Sequence, residues 1–230
     1  MQDENKIFVR KNGNVKRNLE RYDVLLGLKL SIPKIYEIYG DSYDMEYIFG
    51  LDIKKYLSIN PIDELASFIE KVIDTFSENT IEKDFRPIYS EKLTKFDFQK
   101  YTLPFSAESL FQKLPAILPS SEYHGDFTLE NILYDVKNKK FVLIDPLTTE
   151  YNSFVFDLAK LRQDLTCGWF IRNDENYFDS KLKVVSEKLL KYEQFNNDYL
   201  LILMLMRILP YAKNKQDEEF LIKEIHKLWK

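Results

Sequence analysis

His124-Gly125-Asp126-Phe127-Thr128-Leu129-Glu130-Asn131, followed by the apolar run Phe141-Val142-Leu143-Ile144 that ends in Asp145-Pro146, is the stretch that decides how this chain is read. It sets an Asp, an Asn five positions later and a second Asp at the end of a candidate strand. Moving a phosphoryl group asks little covalent work of a protein; alignment and neutralisation of charge on the phosphate oxygens do most of it. Asp126 can accept a hydrogen bond from an acceptor hydroxyl and take its proton, while the Asn131 carboxamide and the Asp145 carboxylate offer hard oxygen donors of the kind magnesium prefers. Two such ligands suffice, because magnesium keeps waters and nucleotide phosphates as the rest of its shell. The spacing therefore points to phosphoryl transfer, against the plainer reading in which Asp126 and Asn131 cap a turn and Asp145-Pro146 ends a strand.

With only 2 His and 6 Gly in the chain, the octapeptide is not a product of composition. It resembles the aminoglycoside phosphotransferase and choline kinase family, whose fold is protein-kinase-like, with Gly125 where eukaryotic protein kinases carry Arg. The resemblance implies a small-molecule acceptor rather than a protein. It also implies Asp126 as the catalytic Asp, Asn131 and Asp145 as Mg2+ ligands, His124 as the residue that orders the loop, and ATP, with GTP as the alternative, as donor. Asp157, in Phe156-Asp157-Leu158-Ala159, stands where a family Asp pins the loop, although helix capping by Asp157 or Asn152 accounts for it equally well.

On the nucleotide side, Glu46-Tyr47-Ile48-Phe49-Gly50 is similar to the family hinge, which implies that adenine meets the backbone of Glu46, Tyr47 and Ile48; a strand end and turn is the alternative. Arg10 and Glu20 occupy the places of the phosphate-binding cation and its acidic partner. Lys11 follows directly, and an exposed Arg on a short strand is the other account of Arg10. Only Met1 to Asn5 precede the first candidate strand, so the family's first two strands and glycine-rich roof are not expected. Asn12-Gly13-Asn14 either offers N–H groups to a phosphate or is a simple turn. A minimal active enzyme, a roof from another chain and a fold without turnover all remain open.

Composition sets the outer limits. At 230 residues, 45% hydrophobic and 15% aromatic, the chain can bury a large core. A net charge of −4 argues against nucleic acid or an anionic membrane as partner. Cys167 is the lone cysteine, so an intrachain disulfide is excluded, and the polar start Met1-Gln2-Asp3-Glu4 lacks export-signal character; a cytoplasmic location is expected, and a homo-oligomer is left open.

The apolar periods predict a strand at 6–10, a helix carrying Leu19, Tyr22, Leu25 and Leu28, and a hairpin from Ile35 to Ile48 turning at Gly40-Asp41-Ser42. After Gly50 helices dominate: one starting at Asn60-Pro61 with Asn60 as cap, a short one from Ser106 through Ile117, and four near 153–166, 178–193, 197–209 and 215–229. Residues 81–105 show no firm period. The expected class is α+β, a two-lobed protein-kinase-like fold: a shortened β-rich lobe over 1–49 and a helical lobe over 50–230. Glu150, Asp157 and Asp164 are read either as an acidic wall for a cationic acceptor or as a solvated helix face.

Overall fold

Alternation along the first strand sets the geometry of the N-terminal part. In the computed structural model, which describes residues 7–13, 15–174 and 179–230, β1 (Phe8–Asn12) pairs antiparallel with β3 (Ser42–Glu46), and β3 with β2 (Ile35–Ile38). Met1–Lys6 and Asn14 lie outside the described residues, and with them the start of the expected strand and the third residue of the expected turn. The register sets Arg10 opposite Asp44 and Lys11 opposite Tyr43. Between β1 and β2 runs α1 (Val15–Gly27), whose Tyr22 packs edge-on against Tyr43, ring centroids 6.2 Å apart, beside Met45. The hairpin arm stops at Glu46, two residues short of the expected Ile48.

A second sheet, β4 (Gly50–Asp52), β7 (Ile132–Asp135) and β8 (Lys140–Leu143), lies at the base of the loop region. Gly50 is there because of close approach: a Cβ would collide with the Tyr134 carbonyl oxygen. The Asp52 carboxylate caps α2 (Ile53–Ile59), accepting from the Lys55 N–H at 2.8 Å. The sequence places Asn60 at the start of the next helix, yet in the structure it closes α2, donating through its side-chain amide to the Tyr56 carbonyl at 3.1 Å. A short amide bonds the nearest orphan group, and here that is a C-terminal carbonyl. α3 (Asp63–Ser77) then buries Leu65, Ile69, Val72 and Phe76.

The stretch without a clear period contains β5 (Ile81–Asp84) and α4 (Arg86–Lys95). α4 buries only Tyr89 and Leu93, so no apolar stripe marks it. α5 (Ala107–Lys113) starts at Ser106 through a reciprocal bond pair with Ser109. It does not reach Ile117, because Pro115 cannot continue a helix; Ile117 begins β6 (Ile117–Ser120), which pairs with β5.

The remaining helices are α6 (Phe154–Leu165), α7 (Asp179–Leu189), α8 (Asp198–Ile208) and α9 (Lys215–Leu228). Every residue of α6 is buried, including Asp157, Lys160, Arg162 and Asp164. Its N-cap is Ser153, so neither Asn152 nor Asp157 performs that role. α3, α6 and α8 share the large core, with Leu65, Phe76, Leu158, Leu161, Leu201 and Leu205 among the fully buried side chains. Among the described residues no helix is long and apolar enough to cross a membrane.

Candidate active site

The loop from His124 to Asn131 is held on the buried face of α6 and against the segment that follows β8. Gly125 has φ +90°, and a Cβ there would collide with the Leu147 carbonyl oxygen, so the backbone conformation and the close approach both require glycine. The Leu147 N–H donates to the His124 carbonyl at 2.9 Å, and the Ile144 N–H to the Asn131 carbonyl at 3.0 Å. These two bonds bring the 124–131 and 144–147 segments side by side.

Positions 157, 160 and 164 fall on one face of α6 by helical spacing. The Asp157 carboxylate accepts the N–H groups of His124 (2.6 Å), Gly125 (3.1 Å) and Phe127 (3.3 Å). Asp164 accepts the Leu129 N–H at 2.8 Å, and burial pushes its carboxyl up to about 7. Between them the Lys160 ammonium donates to the Gly125 carbonyl and lies 3.6 Å from Asp126 Oδ1. Burial, helped by Arg207, brings Lys160 down to about 8 against the pull of Asp126 and Asp157. Burial also keeps His124 below its ordinary value and therefore neutral. Its Nδ1 accepts the Asp126 N–H at 3.3 Å, which leaves the ring proton on Nε2.

At the mouth of this arrangement Asp126 is partly exposed. Burial raises its carboxyl, but Lys160, Arg207 and the Asn131 hydrogen bond outweigh that and hold it below the usual carboxylate range. The Arg207 Nη2 on α8 is 3.4 Å from Asp126 Oδ1. Asn131 Nδ2 donates to the Asp126 backbone carbonyl at 2.7 Å and to its Oδ2 at 3.1 Å. Because a carbonyl only accepts, this fixes the amide orientation and turns Asn131 Oδ1 the other way, as a metal ligand must be. Asp145 sits in the left-handed region at φ +54°, a conformation Asp tolerates and one that marks constrained sites. Its Oδ2 meets the Lys11 Nζ at 2.7 Å, leaving Oδ1 for a cation. One amide oxygen and one carboxylate, both hard donors, fit Mg2+ that takes its remaining ligands from phosphate and water. Among the described residues no cluster of three or more His, Cys, Asp or Glu competes as a metal site.

Other residues singled out from the sequence lie elsewhere. Arg10 points to the opposite face of β1 from Lys11, as strand alternation dictates, and is bound through two bonds, of 2.7 and 2.8 Å, to Asp44. Glu20 is exposed; its ion pair is a 3.9 Å one with Lys16, and it meets neither Arg10 nor Lys11. α1 is instead docked by Asn18, donating to the Pro146 carbonyl at 2.7 Å, by Arg17, donating to that of Thr148 at 2.8 Å, and by Arg21 on Glu122 at 2.7 Å. Glu46 accepts the Lys34 N–H at 3.2 Å, Tyr47 is exposed and packs on Phe49, and Ile48 is half-buried. The acidic wall is not formed: Asp157 and Asp164 are turned to loop N–H groups, and Glu150 is paired with Lys92. Sequence reasoning passed over Lys11 as a site residue and Lys160 as a partner of Asp126; alternation within β1 and the 157-160-164 stripe were the available signals.

Two clefts meet at Arg207, and the smaller of them contains Asp126. One of about 260 Å³ is lined by Asp126, Asn131, Gln163, Arg207 and Tyr211. A larger one of about 990 Å³ lies between α4, α8 and residues 147–151, and shares Arg207 and Tyr211 with the first.

The elements and their order define an α+β fold of protein-kinase-like form. No family model and no curated protein matches the sequence. Among solved structures, the chain is similar to choline kinase LicA from Streptococcus pneumoniae (15% identity, 98% of this chain and 88% of that one, TM-score 0.54), also solved with AMP. It is likewise similar to a choline/ethanolamine kinase family protein from Mesorhizobium loti (14%, 98% and 83%, TM-score 0.57). A third is the ADP-bound aminoglycoside phosphotransferase APH(2'')-Ib (16%, 94% and 80%, TM-score 0.52). At these identities the likeness is one of fold.

Proposed function

We propose that the protein is a phosphotransferase that moves the γ-phosphoryl group of ATP, with GTP as the alternative donor, to a hydroxyl of a small polar metabolite. The observation that carries this reading is that Asp126, Asn131 and Asp145 stand on adjoining segments: Asn131 bonds Asp126 directly, the Ile144 N–H bonds the Asn131 carbonyl, and Lys11 pairs with Asp145. A binding protein has no need of that set. The fold likeness to kinases, one of them solved with ADP, supports it.

In this reading Lys11, rather than Arg10, steadies the donor phosphates, since it is the cation on the site side of β1. Asn131 Oδ1 and the Asp145 carboxylate would hold Mg2+, which supplies neutralisation of phosphate charge. Asp126 stays ionised and accepts the acceptor hydroxyl's hydrogen bond, aligning that oxygen; the loose transition state asks more for orientation than for base strength. Asp157 and Asp164 hold the loop backbone so that Asp126 needs no ordering at the moment of reaction. With its nucleotide donor, the reaction belongs in the cytoplasm.

The test is an acceptor screen with ATP and with GTP in magnesium, over sugars, amino sugars, amino alcohols and hydroxy acids, read by acceptor-dependent ADP or GDP release and by a gain of one phosphoryl mass in the acceptor. Phosphorylated product supports the reading. Nucleotide-dependent thermal stabilisation without product for any acceptor replaces it with a kinase-fold nucleotide-binding protein.

A further inference from the structure

We propose that the acceptor carries an anionic group, a carboxylate or phosphate, in addition to the reacting hydroxyl, and that this group is bound in the larger cleft by Arg207, Arg17 and Lys100. The inference rests on the phosphotransferase reading and adds the substrate class. The cleft's volume of about 990 Å³ suits a sugar-sized molecule. Its charged lining is Arg17, Lys92, Lys95, Lys100 and Arg207 against Asp97 and Glu150. That excess of cations occurs in a chain whose net charge is −4, so it is a local departure rather than a reflection of composition.

The pairing pattern shows which cations are spare. Lys92 is neutralised by Glu150, and Lys95 by Glu91 at 2.5 Å. Arg17 and Lys100 make no ion pair among the described residues: Arg17 donates through Nε to the Thr148 carbonyl, and Lys100 lies 5.1 Å from the Tyr101 ring centroid. Asp97 makes no ion pair among the described residues either, so a cationic acceptor would meet two spare cations and one spare carboxylate here, with Glu150 already taken by Lys92. An anionic one would complete the cleft, with Phe96, Leu203 and Met206 available for its carbon skeleton.

Arg207 makes the link to chemistry. It lines both clefts and lies 3.4 Å from Asp126 Oδ1. An anion drawing on this guanidinium is anchored beside the carboxylate that must align the hydroxyl, and takes over part of Arg207's pairing with Asp126. The step balances as an ordinary transfer: the acceptor oxygen bonds the γ-phosphorus, the bond from that phosphorus to the β,γ-bridging oxygen breaks, the hydroxyl proton passes to Asp126 and on to solvent, and the nucleoside diphosphate leaves.

The experiment compares acceptors on matched skeletons: glucose, glucosamine, glucuronate and glucose 6-phosphate; glycerol, glycerate and glycerol 3-phosphate; with choline and ethanolamine. In at least one skeleton an anionic member is expected to exceed its neutral and cationic counterparts in kcat/KM by about tenfold or more, and which anion leads assigns carboxylate or phosphate. Lys100→Gln is expected to raise KM for that acceptor with little change in kcat, and Lys100→Glu to erase the preference. Preferred use of choline, ethanolamine, glucosamine or a neutral member overturns the inference. If no acceptor is phosphorylated, the phosphotransferase reading fails by itself, and the cleft is judged by melting: anionic compounds that stabilise the wild type but not Lys100→Glu uphold an anion site, whereas equal or absent stabilisation removes it.

Discussion

Replacing Lys11 by Met, with Arg10→Met as its neighbour control, separates two residues that adjoin in sequence and face opposite ways. Lys11 Nζ lies 2.7 Å from Asp145 Oδ2, with each side chain 34% exposed, so it is a half-shielded cation at the edge of the proposed phosphate site. A charge-assisted hydrogen bond of this kind contributes about 1.5–3 kcal/mol, and an interaction of that size with the donor phosphates translates to roughly a ten- to hundredfold loss of kcat/KM for nucleotide in Lys11→Met. Arg10 is bound to Asp44 and stacked 4.6 Å from the Tyr39 ring on the other face, so Arg10→Met is expected to leave nucleotide kinetics within about twofold. Nucleotide release kinetics with a productive acceptor provide the first assay. Melting with and without ADP and magnesium provides a second that needs no acceptor: wild type and Arg10→Met should both be stabilised, Lys11→Met much less. If Arg10→Met loses the nucleotide response while Lys11→Met keeps it, the strand register on which the argument rests is wrong.

Removing the ammonium in Lys160→Met takes away the first of the cations that hold the Asp126 carboxyl down, so the acid limb of the pH profile of kcat should move to higher pH; an unmoved limb would separate Lys160 from Asp126. Asp164 predicts a stability effect with a definite sign. Its folded-state value near 7 lies above the ordinary 3.8, so the folded protein holds a proton that the unfolded chain has released between about pH 4 and 7. Its contribution therefore falls as pH rises through that window and is flat beyond it, by on the order of 4 kcal/mol at most. Asp164→Asn keeps an acceptor for the Leu129 N–H and removes the titration, so its denaturation midpoint relative to wild type should climb from pH 4 to pH 8; a constant difference would contradict the assignment.

What the sequence disclosed, and what it withheld, follows from how local each determinant is. The 124–131 loop is legible because chemistry and backbone geometry constrain the same short segment: Gly125 must be left-handed and clear of Leu147, and Asn131 must reach back to Asp126. The kinase-like class follows from that segment and from the order of strands and helices around it. Arg10 and Lys11 could not be separated in this way, since the parity of β1 is fixed by its pairing with β3, more than thirty positions along the chain. Glu20 fails for a similar reason: α1 is oriented by Asn18 and Arg21 reaching the segments around Pro146 and Tyr123, contacts with no local signature. β5 is held by β6 and α4 buries only two residues, so neither announces itself by period. The charged stripe on α6 is visible as spacing, but only the fold reveals that a fully buried helix spends those charges on the 124–131 loop.

The central claim is that Asp126 aligns the acceptor while other residues hold the nucleotide, and Asp126→Asn measured against wild type tests it most directly. With magnesium, nucleotide and a phosphorylated acceptor in hand, turnover should fall by a factor of order 10² or more. The ADP-induced rise in melting temperature should stay close to that of wild type. Turnover that persists at the wild-type level in Asp126→Asn would contradict the account.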